Sequence, residues 1–356
     1  MQYRTFGRTG WQVSEIGYGM WGMAGWTGSV DEESERSLDR AVELGCNFFD
    51  TAWAYGDGRS EQLLGRLLKR HPGKRLYTAT KIPPKNRTWP ARDHFTLDEV
   101  FPPDYIREYT EKSLRNMDVS TMDLQQFHVW TDAWANDDRW QRAVSALKEE
   151  GLTRAIGISI NRWQPANVLK ALATGLIDAV QVVYNVFDQA PEDELFPECQ
   201  RRNIAVIARV PFDEGSLTDT LTPESTWPQG DFRNIYFQPD NLRNTLERVA
   251  KLRRILPPAL TREQSERGHA NGAGHGAPAS ARVGESEERS PSERMPMPEL
   301  ALRHILQHPA VSTVIPGMRK LKNVEANMRA SDGQPLAPQL MAELKRHRWD
   351  RWIDIP

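Results

Sequence analysis

Short apolar runs alternating with amphipathic stretches are the feature that most limits how this chain can fold. Runs at 16–20, 46–49, 76–80, 123–127, 155–158, 179–183, 204–208 and 311–315 have strand length. Between and after them come stretches with helical spacing, beginning near Asp31 and Ser60 and continuing at 104–117, 137–150, 164–174, 192–202, 240–256, 298–308, 321–329 and 337–348. In the second, Leu63, Leu64, Leu67 and Leu68 fall on one stripe. Asp31 and Ser60 are expected to cap their helices, and Gly45 and Gly151 to end theirs. Alternating strand and helix implies a parallel sheet, and eight repeats imply closure into an α/β (β/α)8 TIM barrel. An open doubly wound sheet is the alternative with the same pattern. Residues 2–5 and 11–15, separated by Phe6-Gly7-Arg8-Thr9-Gly10, read as a hairpin ahead of the first strand.

The pattern breaks once. Residues 257–294 are dominated by Ala, Gly, Ser, Glu, Arg and Pro with almost no large apolar side chain, so a disordered loop is expected there. The whole of 1–356 is otherwise read as one domain, closed by C-terminal helices. A net charge of −2 gives no electrostatic footprint for nucleic acid or an anionic membrane. No apolar run reaches the ~18 residues of a bilayer span, and the first residues lack the apolar core of a signal peptide. Cys46 and Cys199 sit in apolar contexts and read as buried free thiols, and the default compartment is cytoplasmic. The oligomeric state is not legible. Trp21, Trp26, Trp53, Trp89, Trp130 and Trp134 fall in expected loops, where tryptophans often line a pocket mouth. The stretch 83–103, carrying Trp89 and His94, is a loop long enough to expect a functional role. Gly17-Tyr18-Gly19-Met20-Trp21-Gly22 fits G-x-G-x-x-G, but no helix opens directly from it, so a strand end and pocket wall is the better reading.

Three apolar runs lead into ionisable residues. Phe48-Phe49 leads to Asp50, with Tyr55 five positions on; 76–80 leads to Lys81; 123–127 leads to His128. Taken singly each has a bland reading: Asp50 as a turn residue, Lys81 as a solvated charge, His128 as a hydrogen-bonded core histidine. Together they sit where a parallel barrel gathers its catalytic groups, at the carboxyl ends of successive strands. In that order and spacing, with Gly157-Ile158-Ser159, Gln181-Val182-Val183-Tyr184-Asn185 and Ile315-Pro316-Gly317, the chain resembles the aldo-keto reductase superfamily over nearly its whole length outside the insertion.

The resemblance implies reduction of an aldehyde or ketone by hydride transfer from NADPH, with Asp50, Tyr55, Lys81 and His128 as the catalytic set and Tyr55 as proton donor. Free tyrosine has a pKa of roughly 10, so Lys81 is expected to lower it, with Asp50 pairing Lys81 and His128 hydrogen-bonding the substrate oxygen. It also implies that Ser159, Asn161 and Gln181 hold the nicotinamide carboxamide, although Ile160 separates Asn161 from its usual place. Phe212, Gly215, Ser216 and Leu217 resemble the loop that covers the pyrophosphate. Gly317, Arg319, Asn323 and Asn327 resemble the segment that holds the adenosine end and its 2′-phosphate, with Ala326 where the family usually has Glu. A helix N-terminus beside an arginine suits an anionic phosphate. Tyr184 and Asn185 stay open between pocket wall and core. Arg209 stands at a strand end where many relatives carry an aromatic residue. It either stacks its guanidinium on the nicotinamide or pairs with Asp213 or solvent. The expected partner is a small-molecule carbonyl substrate. Rival readings are an alcohol or sugar dehydrogenase running the reverse reaction, and a non-catalytic NADPH-binding regulatory subunit. A barrel metalloenzyme is disfavoured because the histidines are scattered, with His269 and His275 in the insertion.

Overall fold

The computed structural model describes residues 1–25, 28, 30–258 and 294–351. Two short strands, β1 (Tyr3–Thr5) and β2 (Gln12–Ser14), pair antiparallel as the expected hairpin. Then follow β3 (Tyr18–Gly19), α1 (Asp31–Glu43), β4 (Phe48–Asp50), α2 (Arg59–Arg70), β5 (Tyr77–Ile82), α3 (Leu97–Val100), α4 (Pro103–Met117) and β6 (Met122–Phe127). Next are α5 (Asp138–Glu149), β7 (Thr153–Ser159), α6 (Leu169–Ala173), β8 (Ala179–Val183), α7 (Leu195–Arg202), β9 (Ala205–Arg209), α8 (Arg233–Tyr236) and α9 (Pro239–Ile255). The described order ends with α10 (Met297–Leu306), β10 (Val311–Val314), α11 (Leu321–Arg329) and α12 (Pro338–Lys345).

Strands β3 to β10 form one eight-stranded sheet in sequence order, all parallel. Bridges Ile16–Val314 and Gly19–Gly317 join its first and last strands. At that seam Gly17 N–H donates to the Val314 carbonyl at 2.8 Å and Gly19 N–H to that of Pro316 at 3.0 Å. The barrel expected from the alternation is therefore the fold, and the open sheet is not. Glycine is required at the seam, because a Cβ on Gly19 would lie 2.6 Å from the Ile315 carbonyl oxygen.

Packing explains the closure. Inside the N-terminal half of the barrel, Ala79, Ala155, Ala179 and Ala205 leave room for Phe48, Leu124 and Ile207. The hairpin plugs this end with Phe6, whose ring lies 5.2 Å from that of Phe48. Outside, helices cover the strands. On α2, Leu63, Leu64 and Leu67 are fully buried, each contributing about 1.5–3 kcal/mol. Cys46 and Cys199 are buried free thiols, and burial pushes both up to about 12.

Several local expectations are corrected. Asp31 is the first helical residue, not a cap, and its carboxylate takes Arg59 at 2.7 Å and Arg66 at 3.1 Å. Ser60 lies inside α2, where its hydroxyl donates to the Met20 carbonyl at 3.2 Å and accepts from Thr51 Oγ1 at 2.7 Å. Trp163 adopts φ +61° and Pro165 follows, so regular helix is delayed to α6. The long loop 83–103 contains α3, opened by a Thr96–Glu99 capping box. Trp130 and Trp134 do not line a pocket mouth; they are buried, and stack edge-on with each other and with Trp140 or Phe101. Their indole N–H groups find Asp132 Oδ1 at 3.1 Å and the Phe95 carbonyl at 2.7 Å, which makes burial tolerable. The G-x-G-x-x-G stretch opens no phosphate-binding helix: a short 3-10 turn (Trp21–Met23) follows β3. Trp26 and 259–293 of the expected disordered loop lie outside the described residues. The flanks of that loop are tied, Pro258 pairing with Arg294 and Met295 N–H donating to the Pro257 carbonyl at 2.8 Å. No described helix is long and apolar enough to cross a membrane.

Replacing Gly19 with Ala is expected to cost about 1–3 kcal/mol by overpacking the seam, read as a lower Tm. An unchanged Tm would mean the closure between β3 and β10 accommodates a methyl group.

Candidate active site

Parallel register brings the chosen residues to one end of the barrel. Asp50 ends β4, Lys81 stands near the end of β5, His128 follows β6, Ser159 ends β7, and Arg209 ends β9. Lys81 lies opposite Gln126, Ser159 opposite Gln181, and Val183 opposite Arg209. The fully buried Lys81 donates from Nζ to Asp50 Oδ1 at 2.5 Å and to the Thr51 carbonyl at 2.7 Å. The other carboxylate oxygen of Asp50 accepts from Gln181 Nε2 at 2.8 Å and Gln126 Nε2 at 3.1 Å. Gln126 was not singled out by the sequence. Its signal was a glutamine in an apolar strand on the inward-facing alternation.

Tyr55 is carried by a tight turn after β4. Its N–H donates to the Ala52 carbonyl at 3.0 Å, and Gly58 N–H to that of Trp53 at 2.7 Å. Gly56 takes φ +69°, and a Cβ there would meet the Ala24 carbonyl oxygen at 2.5 Å. Lys81 Nζ lies 5.2 Å from the centre of the Tyr55 ring. The His128 ring sits edge-on between Tyr55 and Trp89, with centroids 5.7 Å from each, and its buried Nδ1 has no partner among the described residues. Asp50, Tyr55, Lys81 and His128 are thus brought together.

The electrostatics differ from expectation at Tyr55. Burial raises its phenol above the ordinary tyrosine value; Lys81 pulls it down, but not enough to reverse the effect. The phenol is therefore held in the protonated form. His128 is pushed well below the ordinary histidine value, first by burial and then by the charges of Lys81 and Arg209, so its ring is neutral at neutral pH.

The expected cofactor residues are placed unevenly. Ser159 is buried at the strand end beside Gln181. Gln181 directs its amide nitrogen to Asp50, and Asn161 directs its own to the Ala91 carbonyl and Gln164 Oε1, both at 3.0 Å. Ser216 donates its hydroxyl to Asp213 Oδ2 at 2.7 Å, and the Leu217 side chain is fully buried, so the backbone is what these two offer a ligand. Phe212 is half-buried, and no atom comes within 4 Å of a Cβ built on Gly215 or Gly317. Arg319 precedes α11 and lies across the first barrel loop, its Cδ 3.9 Å from a Cβ built on Gly22. On α11, Asn323 is exposed and Asn327 buried. Arg209 is half-buried, with its Nη2 donating to the Ile160 carbonyl at 3.0 Å rather than to Asp213. Open glycine backbone, an arginine and a helix N-terminus are a donor set that fits an extended phosphate-bearing ligand. Among the described residues, no cluster of three or more His, Cys, Asp and Glu could hold a metal ion.

Residues the sequence did not flag hold the loop 211–217. Arg351 pairs with Asp213 and, at 3.1 Å, with Asp188, its side chain only 3% exposed. Tyr236 also donates to Asp213. Burial opposes ionisation of Asp213, yet Arg351, Tyr236 and Ser216 together keep its carboxyl below the usual value.

The model of the aldo/keto reductase family matches residues 15–348, and the chain belongs to that family of oxidoreductases. It is 30% identical over 254 residues to the aldo-keto reductase yakc of Schizosaccharomyces pombe, whose name specifies NADP(+), covering 68% of this chain and 72% of that protein. It is 27% identical over 257 residues to the NADH-specific methylglyoxal reductase of Escherichia coli, covering 68% and 76%. The holo form of aldo-keto reductase AKR11C1 from Bacillus halodurans superposes with a TM-score of 0.69 at 26% identity, covering 99% of this chain and 97% of that one.

Arg351→Met leaves two buried carboxylates without their cation and is expected to cost about 3–5 kcal/mol in urea unfolding, with faster hydrogen exchange at 211–217. Unaltered exchange in that loop would show that Arg351 does not hold it.

Proposed function

We propose that the chain reduces an aldehyde or ketone to an alcohol with NADPH, using Tyr55 as the proton donor. The observation that carries this reading is the buried Asp50–Lys81 pair beside the Tyr55 phenol, with neutral His128 against the same ring. A bound nicotinamide dinucleotide would supply the hydride. Ser159 and the Gln181 amide oxygen would orient its ring, and the backbone at 213–217 with Arg319 and the start of α11 would hold its phosphates.

The protein's own part is proton delivery. Neutral His128 donates a ring N–H to the substrate oxygen and sets its position. Tyr55, protonated across the neutral range, gives its proton to that oxygen as negative charge develops there. The phenolate left behind is stabilised by Lys81, and Asp50 with Gln126 and Gln181 keeps Lys81 aimed. The reverse oxidation of an alcohol uses the same groups in reverse order.

The 2′-phosphate of NADPH would find Arg319, which stands beside the N-terminus of α11. The name of yakc supports NADP, and that of the E. coli relative points to NADH. Direct titration of the two cofactors decides, with NADPH expected to bind tighter.

The activity is tested by following NADPH oxidation over a panel of aldehydes and ketones, with Tyr55→Phe alongside. The variant is expected to lose about 10²–10⁴-fold in kcat while its Kd for NADPH stays close to wild type. A variant that keeps most of kcat would remove Tyr55 from the role of acid.

A further inference from the structure

Two arginines beside this site have buried donors without a partner among the described residues. Arg162 follows Asn161 in the turn after β7; it pairs with Glu214 at 2.7 Å, but its Nη1 is buried without a partner. Arg209, at the end of β9, gives Nη2 to the Ile160 carbonyl at 3.0 Å, and its Nε is likewise buried and partnerless. Native proteins rarely leave such N–H groups unpaired, and a guanidinium has no way to withdraw its donors by changing charge. The two cations also disfavour each other. Among the described residues, the carboxylates around them are already bonded to cations: Asp50 to Lys81, Glu214 to Arg162, and Asp213 and Asp188 to Arg351.

The location narrows the ligand. Arg209 ends β9 at the barrel end that carries Asp50, Lys81 and Ser159, and its charge acts on Tyr55 and His128, so an acceptor on its Nε would lie at that end of the site. Arg162 is walled by the Tyr236 ring at 4.7 Å and the Trp163 ring at 5.5 Å. A planar guanidinium fork matches a carboxylate, and burial of its donors strengthens that match.

We propose that Arg162 and Arg209 form a subsite for the carboxylate of the carbonyl substrate, so that the favoured substrates are aldehyde or keto acids. The assignment of substrate class rests on the carbonyl-reductase reading; the subsite itself does not.

The test compares succinic semialdehyde with butanal, which lacks the carboxylate, in wild type, Arg162→Gln, Arg162→Lys and Arg209→Gln. Wild-type kcat/KM is expected to favour succinic semialdehyde by about 10- to 100-fold, with the ratio collapsing towards unity in both Gln variants and partly kept in Arg162→Lys. In parallel, succinate is titrated into the cofactor-free protein and read by tryptophan fluorescence, since Trp163 lies against Arg162. Saturable binding in wild type, lost in Arg162→Gln, supports the subsite even if neither aldehyde is turned over, an outcome that would sink the reductase reading alone. Turnover of butanal without preference for the acid overturns the subsite. So do Gln variants that keep the substrate ratio but bind NADPH more weakly, because the arginines would then serve the dinucleotide phosphates.

Discussion

One carboxylate organises the carboxyl end of this barrel's strands. Asp50 projects from β4 and receives Lys81 from β5, Gln126 from β6 and Gln181 from β8. Four of the eight barrel strands therefore meet at a single buried group. An ion pair taken out of water loses several kcal/mol of hydration per ion, and only good geometry with satisfied hydrogen bonds offsets this. Here Oδ1 takes the ammonium and Oδ2 takes two amides, while Lys81 has a second acceptor in the Thr51 carbonyl. The pair is thus fixed in direction, which is what a cation meant to act on a neighbouring phenol needs.

The neighbouring groups respond to the same burial in opposite chemical senses. Burial raises the Tyr55 phenol and lowers His128, so the proposed donor stays protonated and the proposed orienting ring stays neutral. The Lys81 charge opposes the first shift and reinforces the second. Around this centre, loop 211–217 is held from the far end of the chain by Arg351, which couples the expected phosphate-covering segment to the C-terminal residues.

Much of this was legible because its signals are local. The period of the apolar runs marks each strand, and the ionisable residue that follows a run is automatically placed at the barrel's carboxyl end. What depends on tertiary packing was not legible. Trp130 and Trp134 sit in loop-like sequence yet fill the core, and Asp31 and Ser60 look like caps but find partners from other elements. Arg351 reaches loop 211–217 only when distant segments meet. Asn161 and Gln181 are expected from the sequence to hold a carboxamide, whereas their amide nitrogens bond protein groups in this structure. The rise at Tyr55 was missed for the same reason: a nearby lysine can be read from the sequence, whereas desolvation sums over the whole fold.

The central claim is that the Asp50–Lys81 pair makes a buried phenol a better proton donor than burial alone would allow. Ultraviolet difference titration of tyrosinate, using Tyr55→Phe to isolate the signal of Tyr55, tests this directly in wild type and Lys81→Met. The account predicts that Tyr55 ionises at higher pH once the Lys81 charge is removed, because desolvation is then unopposed by that cation. Ionisation at the same pH, or at lower pH, in Lys81→Met would contradict it.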